Sequence, residues 1–425
     1  MTKKLILIVA AMFLTSCQFQ NNSLVVGLNN KSKETSPNKE LTEARNMKKS
    51  PERQNIVLGR SNGGNWQINS EKFGKNDLTG IYFTDVNNGW VSGRTGNSVM
   101  PEESVLHKTT DGGKSWQKVE LNIPKDSSIM EIQFISDKKG WLTINTAGGG
   151  SLQSGLTIML TEDGGISWKV MNQVNGIYGT KIAFLSNGEG WLAGFKKNKD
   201  SASRQGVVLH TKDFGKNWDD VSPTSGNVIV ADQQSELEPA SSWNDVQLEQ
   251  NATATILSNR GEILNTTNGG TAWRYIHKIQ FDQVGDVRGL TDDFQLVKPI
   301  AGLRFLAVGG LNSQEGIFTS FSVVDENEIY HLSKLNNIYV SDVAYLGNGE
   351  FVFCGSRVES NVQDQVERRG IVFYTKDMKS WEVIYETGFE CKNGCLYNKI
   401  SIIGEKLLLV GNNGDLTWIS KLKNK

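Results

Sequence analysis

The sequence predicts an all-β chain, a seven-bladed β-propeller of four-stranded antiparallel blades closed by pairing of N- and C-terminal strands. Two observations predict it. The box TTDGGKSW at Thr109–Trp116 returns along the 425 residues at steps near 50, and a Gly-Trp mark returns in phase with it. A repeat of that length, with room for several short strands per unit, indicates propeller blades. Composition agrees: 44 glycines among scattered Val, Ile, Tyr, Phe and Trp suit many short strands joined by turns.

The box copies are TEDGGISW (Thr161–Trp168), TKDFGKNW (Thr211–Trp218), TTNGGTAW (Thr266–Trp273) and the shorter TKDMKSW (Thr375–Trp381). A worn version, RSNGGNW, ends at Trp66. Their acidic positions are Asp111, Asp163, Asp213, Asn268 and Asp377, spaced by 52, 50, 55 and 109 residues, the last step being two periods with one box eroded. The second mark is NNGW at Trp90, KKGW at Trp141 and GEGW at Trp191, with GNGEF at Phe351 as a later copy.

Each unit divides into strands A to D. In the first, A is 80–84, B is 89–93, C is 104–110 and D is 115–121, each with apolar-polar alternation. A-type strands are expected again near 131–135, 181–185, 244–248, 301–306, 341–345 and 399–403. The last unit has only three strands. NWQIN at 65–69 is expected to supply its fourth, which removes open sheet edges.

The box falls at the C-to-D hairpin. Its Gly-Gly pair permits positive φ, and an aspartate beside it accepts backbone N–H bonds that close the turn. Near-copies in successive units cannot all be one active site. Asn268 keeps the acceptor but loses the charge, which a catalytic acid or metal ligand tolerates poorly. Asp111 and its copies are therefore read as turn pegs, with calcium binding as the alternative. The box tryptophan is expected to pack between neighbouring blades.

The N-terminus reads as a targeting segment. Lys3 and Lys4 precede the ten-residue apolar run Leu5–Leu14, too short to span a bilayer, and then LTSC ends at Cys17. This resembles a bacterial lipobox. Residues 1–16 are expected to be a lipoprotein signal peptide, and Cys17 the lipidated first residue of the mature chain. A secretory signal with a chance cysteine is the bland alternative. Residues 17–54 are polar, without apolar periodicity, and are expected to form a flexible tether. The propeller is expected over 55–422. Gln18, where an aspartate would favour the inner membrane, leans the expectation towards the outer one.

The [ST]-x-D-x-G-x-x-W core resembles the BNR repeats of sialidases and other propellers. The whole unit, an apolar strand, then x-G-W, then T-x-D-G-G-x-S-W, resembles the photosystem II assembly and stability factors and their non-photosynthetic bacterial relatives. The resemblance covers roughly 55–420. It implies a non-catalytic propeller that binds a membrane or envelope protein. A lipid anchor departs from the photosynthetic pattern and leaves partner binding at a membrane as the expectation.

Charge narrows the partners. Lysine and arginine total 45 against 46 acidic residues, whereas a nucleic-acid binder carries a basic excess, so no nucleic-acid partner is expected. Box turns and A–B turns should share one face. The longer segments, 94–103, 143–155, 195–206 and 356–370, are expected as B–C loops on the other, with long D-to-A connections at 222–242 and around 281–295. Function is placed on that B–C face. Arg94, Lys196, Lys197, Arg204, Arg357, Arg368 and Arg369 are its candidate partner-binding residues, weighed against ordinary solubilising charge.

A carbohydrate-active propeller, sialidase-like or glycan-binding, is the second reading. A sialidase would need three arginines, a tyrosine–glutamate pair and an aspartate at the axis, and an R-I-P motif that this sequence lacks. Converging arginines and carboxylates at the axis would favour a glycosidase. Packed apolar residues would favour a scaffold. Tyr82, Tyr345 and Tyr397 read as core. His107 and His210 hold near-equivalent C-strand positions and read as repeat packing. No metal or cofactor is expected. Cys391 and Cys395 flank KNG and are expected to form a disulfide, with a bridge involving Cys354 as the alternative.

Overall fold

The computed structural model describes residues 54–56, 58, 66–74, 76–97, 100–125, 127–146, 154–197, 203–229, 240–250, 252–278, 293–299, 305–313, 316–324, 329–360, 366–387 and 396–422. They form seven sheets. In blade 1 the strands are Asp77–Phe83, Gly89–Asn97, Met100–Thr109 and Gln117–Val119, paired in sequence order and antiparallel. The inner strands of blades 2 to 7 are Ser128–Phe134, Ile177–Phe184, Trp243–Gln250, Asp293–Pro299, Ile338–Gly347 and Tyr397–Ile403. Each touches the inner strand of the next blade, and the seventh touches the first. The sheets therefore close into a ring: the fold is a β-propeller.

Closure uses both ends of the described chain. Trp66–Lys72 pairs antiparallel with Asp415–Lys421, as the outermost strand of blade 7. Two other blades carry a fifth, parallel strand on their outer edge: Val228–Ile229 on blade 4 and Gln54–Ile56 on blade 5. Covering an outer edge in this way satisfies backbone groups that would otherwise invite pairing with another chain.

The repeated Gly-Trp mark has a packing cause. Gly89, Gly140 and Gly190 each lie opposite the last phenylalanine of their own inner strand, Phe83, Phe134 and Phe184. A Cβ at these glycines would come within 2.6 Å of the phenylalanine ring. The ring occupies the space a side chain would take, and the next residue, tryptophan, turns to the neighbouring blade. Trp90 stacks on Phe134 of blade 2 at 3.9 Å, and Trp141 stacks on Phe184 of blade 3 at 4.0 Å. Both tryptophans, with Trp191, are fully buried.

The box tryptophans meet the expectation only in part: Trp116 touches Phe73, which follows the blade 7 edge strand, and Trp273 touches blade 3. Trp116, Trp168, Trp218 and Trp381 are only half-buried, and Trp168 and Trp218 meet the phenylalanine of their own blade edge-on. Only Trp273 among the box tryptophans is fully buried; it meets Trp191 of blade 3. The principal seal between blades 1 to 3 is thus the Gly-Trp tryptophan.

Three further expectations are corrected. The inner strand of blade 5 is Asp293–Pro299, and Phe305–Ser313, overlapping the expected 301–306, is its second strand. Most of 94–103 is paired strand, since Gly89–Asn97 and Met100–Thr109 form one long hairpin. In 356–370, likewise, Glu350–Ser360 and Val366–Thr375 pair as far as Ser360↔Val366. Backbone pairing carries these polar runs on as strands, so their polarity does not mark a loop.

Candidate functional site

The box turns show what Asp111 and its copies do. The Thr109 hydroxyl donates to Asp111 Oδ1 (2.8 Å) and accepts from the Gly113 N–H (2.8 Å). Asp111 also accepts the Ser115 N–H (2.9 Å) and the Ser115 hydroxyl (2.6 Å). Asp163 repeats the pattern with Thr161, Gly165 and Ser167, and Asp213 with Thr211, Gly215 and Asn217. Asn268 accepts from Thr266 and Ala272 in the same way, and Asp377 accepts two backbone N–H groups and the Ser380 hydroxyl. The Ser115 hydroxyl and N–H hold Asp111 down at about 2, and Ser167 does the same for Asp163. These carboxylates are consumed by their own turns. Among the described residues no group of three or more His, Cys, Asp or Glu is placed to hold a metal ion.

Box turns and A–B turns lie together. Gly112 N–H donates to Asn87 O, Gly164 to Lys138 O and Phe214 to Gly188 O, each within one blade. The opposite end of the ring begins where the inner strands begin, and there the axis opens into a cavity of about 410 Å³. All seven blades line it, mainly through their inner strands: Thr79, Glu131, Lys181, Asp245, Leu296, Ser341 and Lys399 are examples. Convergence of this kind follows from ring geometry, because every inner strand starts at the same end.

The cavity is charged. Lys181 pairs with Glu131 at 2.8 Å, and Lys298 lies 3.5 Å from Asp342. Burial works to raise Asp342, but Lys298 and Lys399 outweigh it and hold the carboxyl below its usual range. Asp342 in turn, helped by Glu131 and Asp245, holds the Lys399 ammonium well above the ordinary lysine range against its desolvation. Asp342 Oδ2 accepts the Ile400 N–H at 3.2 Å. Arg94 joins from the second strand of blade 1, with its Nε buried and without a hydrogen-bond partner. Ile129, Met130 and Leu296 give the lining an apolar part.

Of the seven candidate cations, Arg94 alone lines the axial cavity. Lys197 and Arg204 form a separate group on blade 3. Tyr178 and Phe195 stack at 5.5 Å; Lys197 lies 4.7 Å over the Tyr178 ring and Arg204 lies 4.5 Å over Phe195. Lys196 is half-buried beside them, paired through the backbone with Gln205. The remaining three sit on the blade 6 hairpin. Arg357 is largely buried, ion-paired with Glu386, and donates to Leu58 O at 3.2 Å. Arg369 lies 3.8 Å from Glu359. Arg368 is exposed.

Several site residues carried no mark in the sequence. Glu131, Lys181, Asp245, Lys298, Asp342 and Lys399 lie on alternating strands that resemble any other. Only their place on an inner strand unites them, and that becomes a signal once strand boundaries are known. His210 stacks on Trp191 at 4.2 Å and shares Glu189 with the Ala252 N–H, which bears out its reading as packing. The Tyr397 hydroxyl bonds Thr417 at 2.8 Å inside blade 7. Cys354 is a buried free thiol, pushed up by its burial. Cys17, Cys391 and Cys395 lie outside the described residues, as does nearly all of the expected tether.

Residues 114–292 match the family model described as photosynthesis system II assembly factor YCF48. Among solved structures, one described as YCF48 bound to D1 peptide is 17% identical, with a TM-score of 0.53, over 86% of this chain and 99% of that one. YCF48 from Cyanidioschyzon merolae is 15% identical, with a TM-score of 0.51, over 84% of this chain and 99% of that one. No curated protein matches the sequence. At these identities the likeness shows the fold. The chain is an Asp-box, BNR-like β-propeller that resembles the photosystem II assembly factors.

Proposed function

We propose that this chain is a non-catalytic, lipid-anchored propeller of the bacterial cell envelope, held at a membrane through Cys17, with the outer membrane favoured. It binds a protein partner at the end of the ring opposite the box turns and serves as an assembly or stability factor for a membrane or envelope complex. One observation carries the choice of surface: Lys197 and Arg204 are held over the stacked rings of Tyr178 and Phe195. Cations fixed on aromatic rings lose less side-chain freedom on binding than free surface charges, which suits a contact hot spot. The relative solved as YCF48 with a D1 peptide supports a protein partner.

A glycan-directed role is the second reading, and the carboxylates on the axis favour it. Two features oppose a hydrolase there. Asp342 is held ionised by two lysines, which is the wrong state for a general acid. Glu131 is already engaged by Lys181.

In-cell cross-linking of the lipidated protein, then capture and mass spectrometry, tests the proposal. The control reverses Lys197, Arg204 and Arg368 to glutamate. One envelope protein captured by the wild type and lost in the variant supports it. Retained glycan fragments without a specific protein overturn it.

A further inference from the structure

We propose that the axial cavity binds a small carboxylate-bearing molecule, with its anionic end on Arg94 and its apolar part on Ile129, Met130 and Leu296. This is a second binding capacity, independent of the partner surface on blade 3.

Four cations line the cavity, Arg94, Lys181, Lys298 and Lys399, against three carboxylates, Glu131, Asp245 and Asp342. Each lysine is met by a carboxylate: Lys181 by Glu131, Lys298 by Asp342, and Lys399 chiefly by Asp342. Among the described residues no carboxylate is paired with Arg94, and its buried Nε donates to nothing. A desolvated guanidinium donor without an acceptor is costly, and a ligand carboxylate supplies both acceptor and counter-charge.

Met130 is 36% exposed on an inner strand, where its neighbours Ile129 and Ile132 are buried. It lines the same cavity as Arg94, next to Ile129 and Leu296. An apolar wall beside one uncompensated cation is the pattern of a small-molecule site, and about 410 Å³ lies within the range such sites occupy. Lys181, Lys298 and Lys399 keep their partners when the ligand enters. The cavity therefore prefers a single negative charge with an apolar tail over a polyanion.

The test uses the full chain and three matched probes in calorimetric titration: hexanoate, 1-hexanol and hexylamine. Hexanoate is expected to bind saturably. Hexanol and hexylamine are expected to bind at least about tenfold more weakly, the ratio one charge-assisted hydrogen bond supplies. Arg94→Gln should bring hexanoate down to the level of hexanol. Met130→Trp should block the cavity while leaving every charge in place, and Arg204→Gln should change nothing. Near-ultraviolet circular dichroism checks that each variant is folded. Should Arg94→Gln fail to fold, Met130→Trp and the three-probe comparison still decide. The proposal is overturned if hexanoate does not saturate, if hexanoate and hexanol bind alike, or if Met130→Trp binds as the wild type does.

Discussion

Removing the Trp141 side chain tests which tryptophan seals the blades. Trp141 is fully buried, stacks on Phe184 at 4.0 Å and donates its Nε1–H to Phe214 O at 3.1 Å. All of these partners belong to the next blade. A buried tryptophan hides roughly 150–250 Å², worth about 4–6 kcal/mol at about 25 cal/mol per Å². Tryptophan-to-alanine truncations cost about 3–5 kcal/mol, and stranding the Phe214 carbonyl adds about 1 kcal/mol. Trp141→Ala should therefore destabilise by about 4–6 kcal/mol, a large share of the total stability of a folded domain. Trp168, half-buried and edge-on to Phe134 of its own blade, should cost about half as much on truncation, since roughly half the area is at stake. Trp141→Phe keeps the stack and loses the hydrogen bond, so it should cost about 1–2 kcal/mol. Urea unfolding followed by far-ultraviolet circular dichroism measures all three. A Trp168→Ala variant as damaging as Trp141→Ala would refute the reasoning, and so would a Trp141→Phe variant as damaging as alanine.

Other consequences follow from the turns and the hairpins. Asp111 and Asp163 sit near 2 in the folded chain, below their ordinary 3.8, so the stability they contribute is present above about pH 4 and is lost as pH falls towards about 2. The melting temperature should fall across that window, and Asp111→Asn, which copies the natural Asn268, should make the fall shallower. Gly165→Ala meets both a φ of +77° and the Trp90 Nε1, 2.5 Å from the new Cβ, whereas Gly176→Ala at φ +71° has open space. Thermal melts should place Gly176→Ala about 1–2 kcal/mol below the wild type and Gly165→Ala about 1–3 kcal/mol lower still. Arg357→Glu puts a carboxylate against Glu386 and strips Leu58 O of its donor, so it should lower the melting temperature by several degrees. Arg204→Glu, on an exposed stack, should leave the melt unchanged.

The box and the Gly-Trp mark made the architecture legible because both are local. A turn closed by Thr109, Asp111 and Ser115 is complete within seven residues, so its chemistry can be read from seven letters. The Gly-Trp pair was legible as a mark but not as a contact, because its partner phenylalanine lies in the next blade. Blade 5 carries the fewest sequence marks. Its inner strand DFQLVKP carries neither a box nor a Gly-Trp, and alternation alone drew the boundary to the following strand.

The blade 3 cations were legible as candidates, since long polar hairpins on a rigid ring expose their ends. Their support on Tyr178 was not, because that ring comes from the strand before the hairpin. Arg357 looked in sequence like Arg368, yet one is tied to Glu386 and the other is exposed. Whether a hairpin arginine faces a neighbouring carboxylate depends on register, which letters alone do not carry. The axial cavity was wholly the work of the tertiary structure. Arg94, Glu131, Lys181, Asp245, Lys298, Asp342 and Lys399 are spread over some 300 residues and share no motif. Local hydrogen bonding and alternation settled what each blade is. Closing the ring brought seven inner strands to one axis, and only that closure decided which charges meet.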